Sequence, residues 1–326
     1  MPRSCPRPDS CKALTMEYRH TPVLLAEVTQ HLPLQPGSVI VDCTLGGAGH
    51  ARRIQELVEP GGVLVGIDRD RAAIDAARSV LRLGQQAILL QGDFGELDEL
   101  LTRAGIAYAD GILMDLGVSS PQLDAAERGF SYRDDAPLDM RMDPGGGGIT
   151  AAEVVNTYSQ EELARIIREF GEERWAPRIA AHIVAARGRR PILTTLQLAD
   201  IAKEAIPAAA RRTGPHPARR TFQALRMEVN RELEALERGL EAAVRWLRAG
   251  GRVAVISYHS LEDRIVKRAF AALARGCTCP PGLPVCRCGQ VPVVRIVTPR
   301  PVVPTAEEVA RNPRSRSAKL RVAEKV

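Results

Sequence analysis

Four aspartates, each at the end of a short apolar segment, are the residues of this sequence best placed to do chemistry. They are Asp42, Asp68, Asp93 and Asp115. If each segment is a strand of one parallel sheet, the four carboxylates lie along the edge where the carboxyl ends of the strands meet. A purely structural role predicts no such regularity, so we expect this edge to bind a ligand.

A glycine-rich turn follows the first of these acids. The sequence reads V-D-C-T-L-G-G-A-G-H from Val41 to His50. Glycines there let the backbone approach a ligand, and the N-terminus of the following helix favours a negative group. Asp68 comes 22 residues after Gly46, where an acid can accept hydrogen bonds from ribose hydroxyls. Phe94 could cover a purine ring, so these residues together predict a nucleoside cofactor.

The position of Asp42 favours a cationic cofactor. An NAD site normally reads G-x-G-x-x-G and holds a pyrophosphate, which an extra acid on the strand would repel. S-adenosylmethionine instead carries a sulfonium and an ammonium group, and its carboxylate could face the helix N-terminus. We therefore predict a methyl donor, with an NAD oxidoreductase as the disfavoured alternative.

Apolar segments that alternate with helical segments over residues 38–117 must position these acids. The predicted strands are Ser38–Asp42, Val63–Asp68, Ala87–Asp93, Gly111–Asp115, Arg252–Ser257, Val293–Val297 and Leu320–Ala323. Strands that are almost wholly apolar indicate a sheet covered on both faces. The expected fold class is α/β, with a Rossmann-like, mostly parallel, doubly wound sheet.

Well over a hundred residues separate the fourth predicted strand from the fifth, which is more than a crossover needs. We predict an inserted all-helical domain over 126–220, and a sheet domain made of 16–125 and 221–326. Residues 1–15 are expected to be a disordered extension. The predicted later helices are Gln160–Phe170, Trp175–Arg187, Leu196–Ile206, and Leu261–Leu273 with Ser260 and Asp263 as its cap. A long amphipathic stretch, about Phe222–Leu247, leads back into the sheet.

The composition is that of an ordinary globular protein, with 326 residues, 45% of them hydrophobic, and a net charge of +6. No run of about 18 apolar residues occurs, so no membrane span is expected. The segment Met1–Met16 lacks the apolar core of a signal peptide. Seven cysteines, four of them between positions 277 and 288, do not suit a secreted disulfide framework. We therefore expect a cytoplasmic protein.

The clustered cysteines Cys277, Cys279, Cys286 and Cys288 could bind zinc through four thiolates. Their C-x-C spacing departs from the usual C-x₂-C, and a loop of free or reversibly oxidised thiols is the alternative. We assign no metal ligands. Cys43, in the glycine turn, is interpreted as a small packing residue rather than a nucleophile.

Several longer motifs together resemble one bacterial family, the small-subunit ribosomal RNA methyltransferase H or MraW family. The resemblance spans about 18–325, and its motifs include DCTLGGAGH (Asp42–His50), GIDRD (Gly66–Asp70), DLGVSSPQLD (Asp115–Asp124), GEERWAPRIA (Gly171–Ala180), RRTFQALRMEVN (Arg219–Asn230), SYHSLEDRIVKR (Ser257–Arg268) and NPRSRSAKLR (Asn312–Arg321). It implies a class I S-adenosylmethionine-dependent methyltransferase fold with a helical insertion. It also implies methylation of the exocyclic N4 of a cytidine in the decoding region of 16S rRNA, in the small ribosomal subunit.

The resemblance further implies which residues contact the cofactor. They are Ala48, Gly49, His50, Asp68, Phe94, Asp115 and Gln122. Two alternative functions stay open at this point: an amino-methyltransferase acting on another RNA or on DNA, and a ribosome-assembly factor that binds the cofactor without turnover. A homodimer is also left open.

The chemistry needs an acceptor for the hydrogens of the N4 amine, whose lone pair is conjugated with the ring, and a proton must leave. Asp115 is the first candidate. Alternatively, Asp115 binds cofactor only, and Ser119, Ser120 or a backbone carbonyl holds the amine. His259 could accept the proton or could be a helix cap or ribose contact.

Other aromatic and basic residues could serve the RNA. Phe130 and Tyr132 could stack on a flipped base or pack in the insertion, and His20 could close over the site or anchor its own segment. Residues 174–220 carry ten basic and two acidic side chains, and 311–326 carry six and one, whereas 126–173 carry five and eleven. We predict that the two basic segments face the rRNA backbone, with Arg189, Arg190, Arg211 and Arg212 as the residues to test.

Overall fold

A computed structural model describes residues 22–84, 86–212, 214, 216–276 and 288–326 of the chain. Several residues named in the sequence analysis lie outside the described residues: the expected extension 1–15, His20, Cys277, Cys279 and Cys286. The predictions about them, including zinc binding, therefore stay predictions.

Seven strands form one sheet in the order β3-β2-β1-β4-β5-β7-β6. They are β1 (Val39–Asp42), β2 (Val63–Asp68), β3 (Ala87–Gln91), β4 (Ala109–Asp115), β5 (Leu247–Ser257), β6 (Val294–Ile296) and β7 (Lys319–Lys325). Strands β1 to β5 pair in parallel, and β7 is antiparallel to both of its neighbours. The predicted α/β class with a mostly parallel sheet is confirmed.

Helices cover both faces of this sheet. Successive side chains of a strand point to opposite faces, and the apolar side chains on each face pack against helices. Ile40 and Leu113 pack with α1, α2 and α3 on one face, and Val41 and Ile112 pack with α4, α11 and α12 on the other. The helices are α1 (Leu25–His31), α2 (Gly49–Val58), α3 (Arg71–Val80), α4 (Leu97–Arg103), α5 (Ser120–Asp124), α6 (Ala151–Thr157), α7 (Gln160–Glu169), α8 (Ala176–Arg187), α9 (Thr195–Ala205), α10 (Arg219–Asn230), α11 (Glu232–Trp246), α12 (Ser260–Leu273) and α13 (Ala306–Arg311). Cys43 is buried in the second of these layers, as its interpretation as a packing residue predicts.

Helices α6 to α10 form the predicted insertion around a hydrophobic core of their own, whose buried members extend from Phe130 to Leu225. Capping boxes at Thr150, Ser159 and Thr194 begin three of these helices. The domain boundaries at 125 and 221 stay predictions.

The amphipathic stretch Phe222–Leu247 is divided between two helices, because Arg231 adopts a left-handed φ of 48° between α10 and α11. Two sequence predictions about these elements are wrong. The third strand ends at Gln91, so Asp93 is not at a strand end. The cap of α12 is His259 with Glu262 rather than the pair predicted one residue later.

None of the helices in the described part of the chain is long and apolar enough to cross a membrane.

Candidate active site

The glycine turn after β1 is held against the ends of β2 and β4. The N–H of Gly46 donates to Oδ2 of Asp68 at 2.9 Å, and the N–H of Asp115 donates to Oγ1 of Thr44 at 2.7 Å. Gly46 needs its flexibility because its φ is +48°, and a Cβ there would lie 3.3 Å from Cβ of Ser119. The turn therefore lies where the parallel strands end, as the sequence predicts.

The turn continues into the N-terminus of α2, where three of the expected cofactor contacts lie. Ala48 has a left-handed φ of 57° and precedes the helix, which starts at Gly49. A Cβ on Gly49 would lie 2.4 Å from Cγ of Pro22, so no other residue fits there without a shift. His50 is buried in the first turn, and burial lowers its pKa to about 4. It is therefore neutral at physiological pH.

Asp115 ends β4 and is bound by a tyrosine that sequence analysis missed. The hydroxyl of Tyr258 donates to Oδ1 of Asp115 at 2.8 Å, and Oδ2 lies 3.8 Å from Nε2 of His50. Burial raises the pKa of Asp115 to about 7, and the Tyr258 hydrogen bond opposes that rise. The group can therefore exchange a proton near neutral pH.

Three carboxyl groups lie around the turn: Asp42 is buried, and Asp68 and Asp115 are partly buried. Burial raises the pKa of Asp42 to about 7 and that of Asp68 to about 6. The charges acting on Asp42 and Asp115 are those of other carboxylates, which raise their pKa values further. Among the described residues, Oδ2 of Asp42 has no hydrogen-bond partner. A ligand with a positive charge would stabilise the ionised forms of these carboxyl groups. The sulfonium and ammonium groups of S-adenosylmethionine supply such charges.

Gln122 is buried and binds Asp70 at this edge of the sheet together with Arg128 of the insertion. Its Nε2 donates to Oδ2 of Asp70 at 2.8 Å, and Arg128 donates to the same oxygen at 2.8 Å. Ser119 caps α5 in a capping box with Gln122, and Ser120 is the first residue of that helix. The Ser119 hydroxyl is thus used in a cap, whereas its role toward an amine stays a prediction.

Asp93 and Phe94 follow the end of β3 and have partners of their own within the chain. Asp93 accepts hydrogen bonds from the side chain of Arg69 and from the N–H of Gly95. Phe94 is half-buried against α11, where a Cβ on Gly239 would lie 2.7 Å from its ring. Asp93 therefore lies two residues beyond the end of β3 and is paired with Arg69, and the role of Phe94 toward a purine ring stays a prediction.

The remaining candidates mostly have structural partners. Nδ1 of His259 accepts from the N–H of Glu262 at 3.4 Å, and its Nε2 lies 2.8 Å from a carboxylate oxygen of Glu262, which favours the cap interpretation. Phe130 is buried in the core of the insertion. Tyr132 stacks on His216 with ring centroids 4.6 Å apart. The burial of Phe130 favours the packing interpretation, and base stacking by Tyr132 stays a prediction.

Sequence analysis also missed a polar network next to the predicted ribose acid. Arg69 donates to the backbone oxygen of Asn230 at 2.9 Å, and Arg128 donates to the backbone oxygen of Met142 at 2.8 Å. The sequence signal for this network was the presence of two adjacent charged residues, Arg69 and Asp70, directly after an apolar strand. A cleft of about 400 Å³ beside this network is lined by Asp70, Arg71, Gln91, Asp143, Pro144, Gly145 and Gly146, and includes none of the seven expected cofactor contacts.

The two basic segments differ in how their charges are used. In the insertion, Arg189, Arg190 and Arg212 are exposed and Arg211 is partly exposed, and none of the four forms an ion pair with a described residue. In the tail, most charges have acidic partners within the chain. These pairs are Arg311–Glu307, Arg314–Asp124, Lys319–Asp263 and Arg321–Asp263. The insertion is therefore the stronger candidate for binding an anionic polymer.

Comparison with known proteins gives consistent similarities over nearly the whole chain. Residues 17–326 match the family model described as "MraW methylase family". Proteins called "Ribosomal RNA small subunit methyltransferase H" from Symbiobacterium thermophilum, Geobacter sulfurreducens and Geotalea daltonii are 56%, 58% and 54% identical to it. Each alignment covers 95% of this chain, and 98%, 100% and 99% of the respective relatives.

Proposed function

Because the chain belongs to the MraW methylase family, we propose that it methylates the exocyclic N4 of a cytidine in the decoding region of 16S rRNA. The substrate follows from the relatives, whose name specifies the small-subunit ribosomal RNA. The position of the cytidine and the N4 atom follow from the family resemblance. In bacteria this RNA is in the cytoplasm, so the proposal includes that compartment.

The observation that carries the proposal is the group of three carboxyls around the glycine turn, the buried Asp42 and the partly buried Asp68 and Asp115. S-adenosylmethionine supplies an electrophilic methyl group on a sulfonium, and this site suits its positive charges. Asp68 already accepts two backbone N–H groups, from Gly46 and from Asp70. That arrangement fixes its carboxyl group at the end of β2, where a ribose hydroxyl can be bound.

Asp115 is the residue of the site best able to accept a hydrogen from the amine. Its Oδ1 is bound by Tyr258, and Oδ2 is left on the side of His50 and the glycine turn. A carboxylate oxygen there can hold one N4 hydrogen while the nitrogen lone pair turns toward the methyl group. With a pKa of about 7, Asp115 can take up the proton that the product must lose.

The unpaired arginines of the insertion supply the proposed contact with the rRNA backbone. Arginine binds phosphate through several parallel donors, and Arg189, Arg190, Arg211 and Arg212 have no acidic partner in the described structure. The sequence predicts that the basic tail, residues 311–326, also faces the rRNA backbone. That part of the proposal has less support, because most of the basic side chains of the tail are paired with acidic residues of the chain.

The proposal is tested by incubating the protein with S-adenosylmethionine labelled in the methyl group and small subunits from a strain that lacks the activity. We expect the label in N4-methylcytidine of 16S rRNA. Label in another nucleoside would support the alternative amino-methyltransferase, and binding of subunits and cofactor without label would support the assembly factor. Naked rRNA, tested in parallel, shows whether the assembled subunit is needed. A homodimer stays a prediction, to be checked by light scattering.

A further inference from the structure

Tyr258 is a partly buried tyrosine whose hydroxyl binds the carboxyl group at the centre of the site. Its oxygen lies 2.8 Å from Oδ1 of Asp115. Burial and the neighbouring carboxylates of Asp115 and Glu262 raise the pKa of Tyr258 well above its ordinary value. The phenol therefore stays protonated and acts as a permanent donor to Asp115.

The sheet itself brings these two residues together. Strands β4 and β5 are parallel neighbours, and Asp115 is in register with Ile256, two residues before Tyr258. The N–H of Tyr258 donates to Oε2 of Glu262 at 2.8 Å, which fixes the backbone between β5 and α12. The tyrosine is thus held at the end of β5, with its ring along the same edge.

We propose that Tyr258 is a positioning residue for methyl transfer, which holds Oδ1 of Asp115 so that Oδ2 is free to accept a hydrogen of the target amine. The proposal rests on the assignment of Asp115 as the amine acceptor under the proposed function. Without the tyrosine hydroxyl, the carboxyl group can rotate and share its two oxygens among other donors.

Every charged or titratable group that faces Asp115 bears on this role. On β1, Asp42 opposes the ionisation of Asp115, and Glu262 on α12 does the same. On α2, His50 lies 3.8 Å from Oδ2 but is neutral, because burial lowers its pKa to about 4. The Tyr258 hydroxyl is therefore the side-chain donor that favours the ionised carboxyl.

The test compares Tyr258→Phe with wild type on small subunits at saturating S-adenosylmethionine across a range of pH. We expect kcat to fall about tenfold or more, since a hydrogen bond to a charged group is lost in the reacting complex. The KM for subunits should stay within about twofold, because no RNA contact changes. The acidic limb of the kcat profile should move to higher pH, because the ionised form of Asp115 loses its donor.

Tyr158→Phe is the matched control. The Tyr158 hydroxyl donates to Glu228 at 3.0 Å within the insertion, so this variant makes the same chemical change away from Asp115. It should keep the wild-type kcat and pH profile. Replacement of Tyr258 by 3-fluorotyrosine keeps the ring and makes the hydroxyl a stronger donor, so the acidic limb of the kcat profile should move to lower pH. This second variant tests the proposal even if Tyr258→Phe does not fold.

An unchanged kcat and pH profile in Tyr258→Phe would overturn the proposal. A loss of kcat in Tyr258→Phe would also overturn it if the acidic limb moves neither in that variant nor in the 3-fluorotyrosine variant. That result would mean that Tyr258 has only a structural role. If wild type labels a nucleoside other than N4-methylcytidine, the proposed function is wrong in its target. The same comparison on the labelled nucleoside then still decides the role of Tyr258.

Discussion

The N–H of Gly46 donates to Oδ2 of Asp68 at 2.9 Å, so the turn that follows β1 is fastened to the acid that ends β2. The other oxygen of Asp68 accepts from the N–H of Asp70 at 2.8 Å. One carboxyl group therefore sets the shape of the glycine turn, and it is also the group that we propose binds the ribose.

Asp68→Ala should weaken S-adenosylmethionine binding by about tenfold or more, because both the ribose acceptor and the support of the turn are lost. Isothermal titration calorimetry measures the affinity. Asp75→Ala is the control, since Asp75 is exposed on α3 and pairs with Arg71 and Arg78 on the surface. Equal affinities in the two variants would remove Asp68 from the cofactor site.

Binding of S-adenosylmethionine at pH 7 should release protons. Burial raises the pKa values of Asp42 and Asp115 to about 7, so both groups are partly protonated without a cation. A bound cation favours their ionised forms, so their pKa values fall and the affinity rises as pH increases from about 5 to 7.

Calorimetry in buffers of different ionisation enthalpy counts the protons released. Asp42→Asn should release fewer than wild type, and S-adenosylhomocysteine, which lacks the sulfonium, should release fewer than S-adenosylmethionine. A binding enthalpy that is independent of the buffer would refute the electrostatic account of the site.

Reversing the charge of Arg189, Arg190, Arg211 and Arg212 to Glu should weaken subunit binding and leave cofactor affinity unchanged. If all four contact phosphates, the slope of log affinity against log salt should shrink by about three. Filter binding at several salt concentrations measures this slope. The control reverses Arg52, Arg103, Arg275 and Arg300, which are exposed elsewhere and change the net charge equally. Equal losses in both sets would mean that only net charge matters.

Arg128→Met should lower the free energy of unfolding by about 3 kcal/mol or more, because it leaves the carboxylate of Asp70 buried without its ion pair. The two side chains are 15% and 5% exposed, and the ion pair joins the sheet edge to the insertion. Urea unfolding measures the change. Arg165→Met breaks a surface pair, Arg165–Glu169, and should cost less than about 1 kcal/mol. Similar losses in the two variants would contradict a buried link between the insertion and the sheet.

Local patterns were sufficient to predict the strands, most of the helices and the glycine turn. The apolar runs Val63–Asp68 and Gly111–Asp115 lie in strands β2 and β4, and the capping box at Ser159 begins its helix as predicted. These features depend on neighbours a few residues apart, which the sequence displays directly. The break at Arg231 was missed because contacts with remote residues support it, including the bond from Arg69 to the oxygen of Asn230.

The sequence by itself determined which chemistry the site can hold: an acid at the end of β1, a glycine turn, a second acid at the end of β2 and a third at the end of β4. Only the tertiary structure decided which of these acids stay available. Asp93 is neutralised by Arg69, and Asp115 is bound by Tyr258, 143 residues away in the chain. The physical reason is that the type and periodicity of residues set each element locally, whereas the partner of a buried charge depends on strand register and on how the insertion docks.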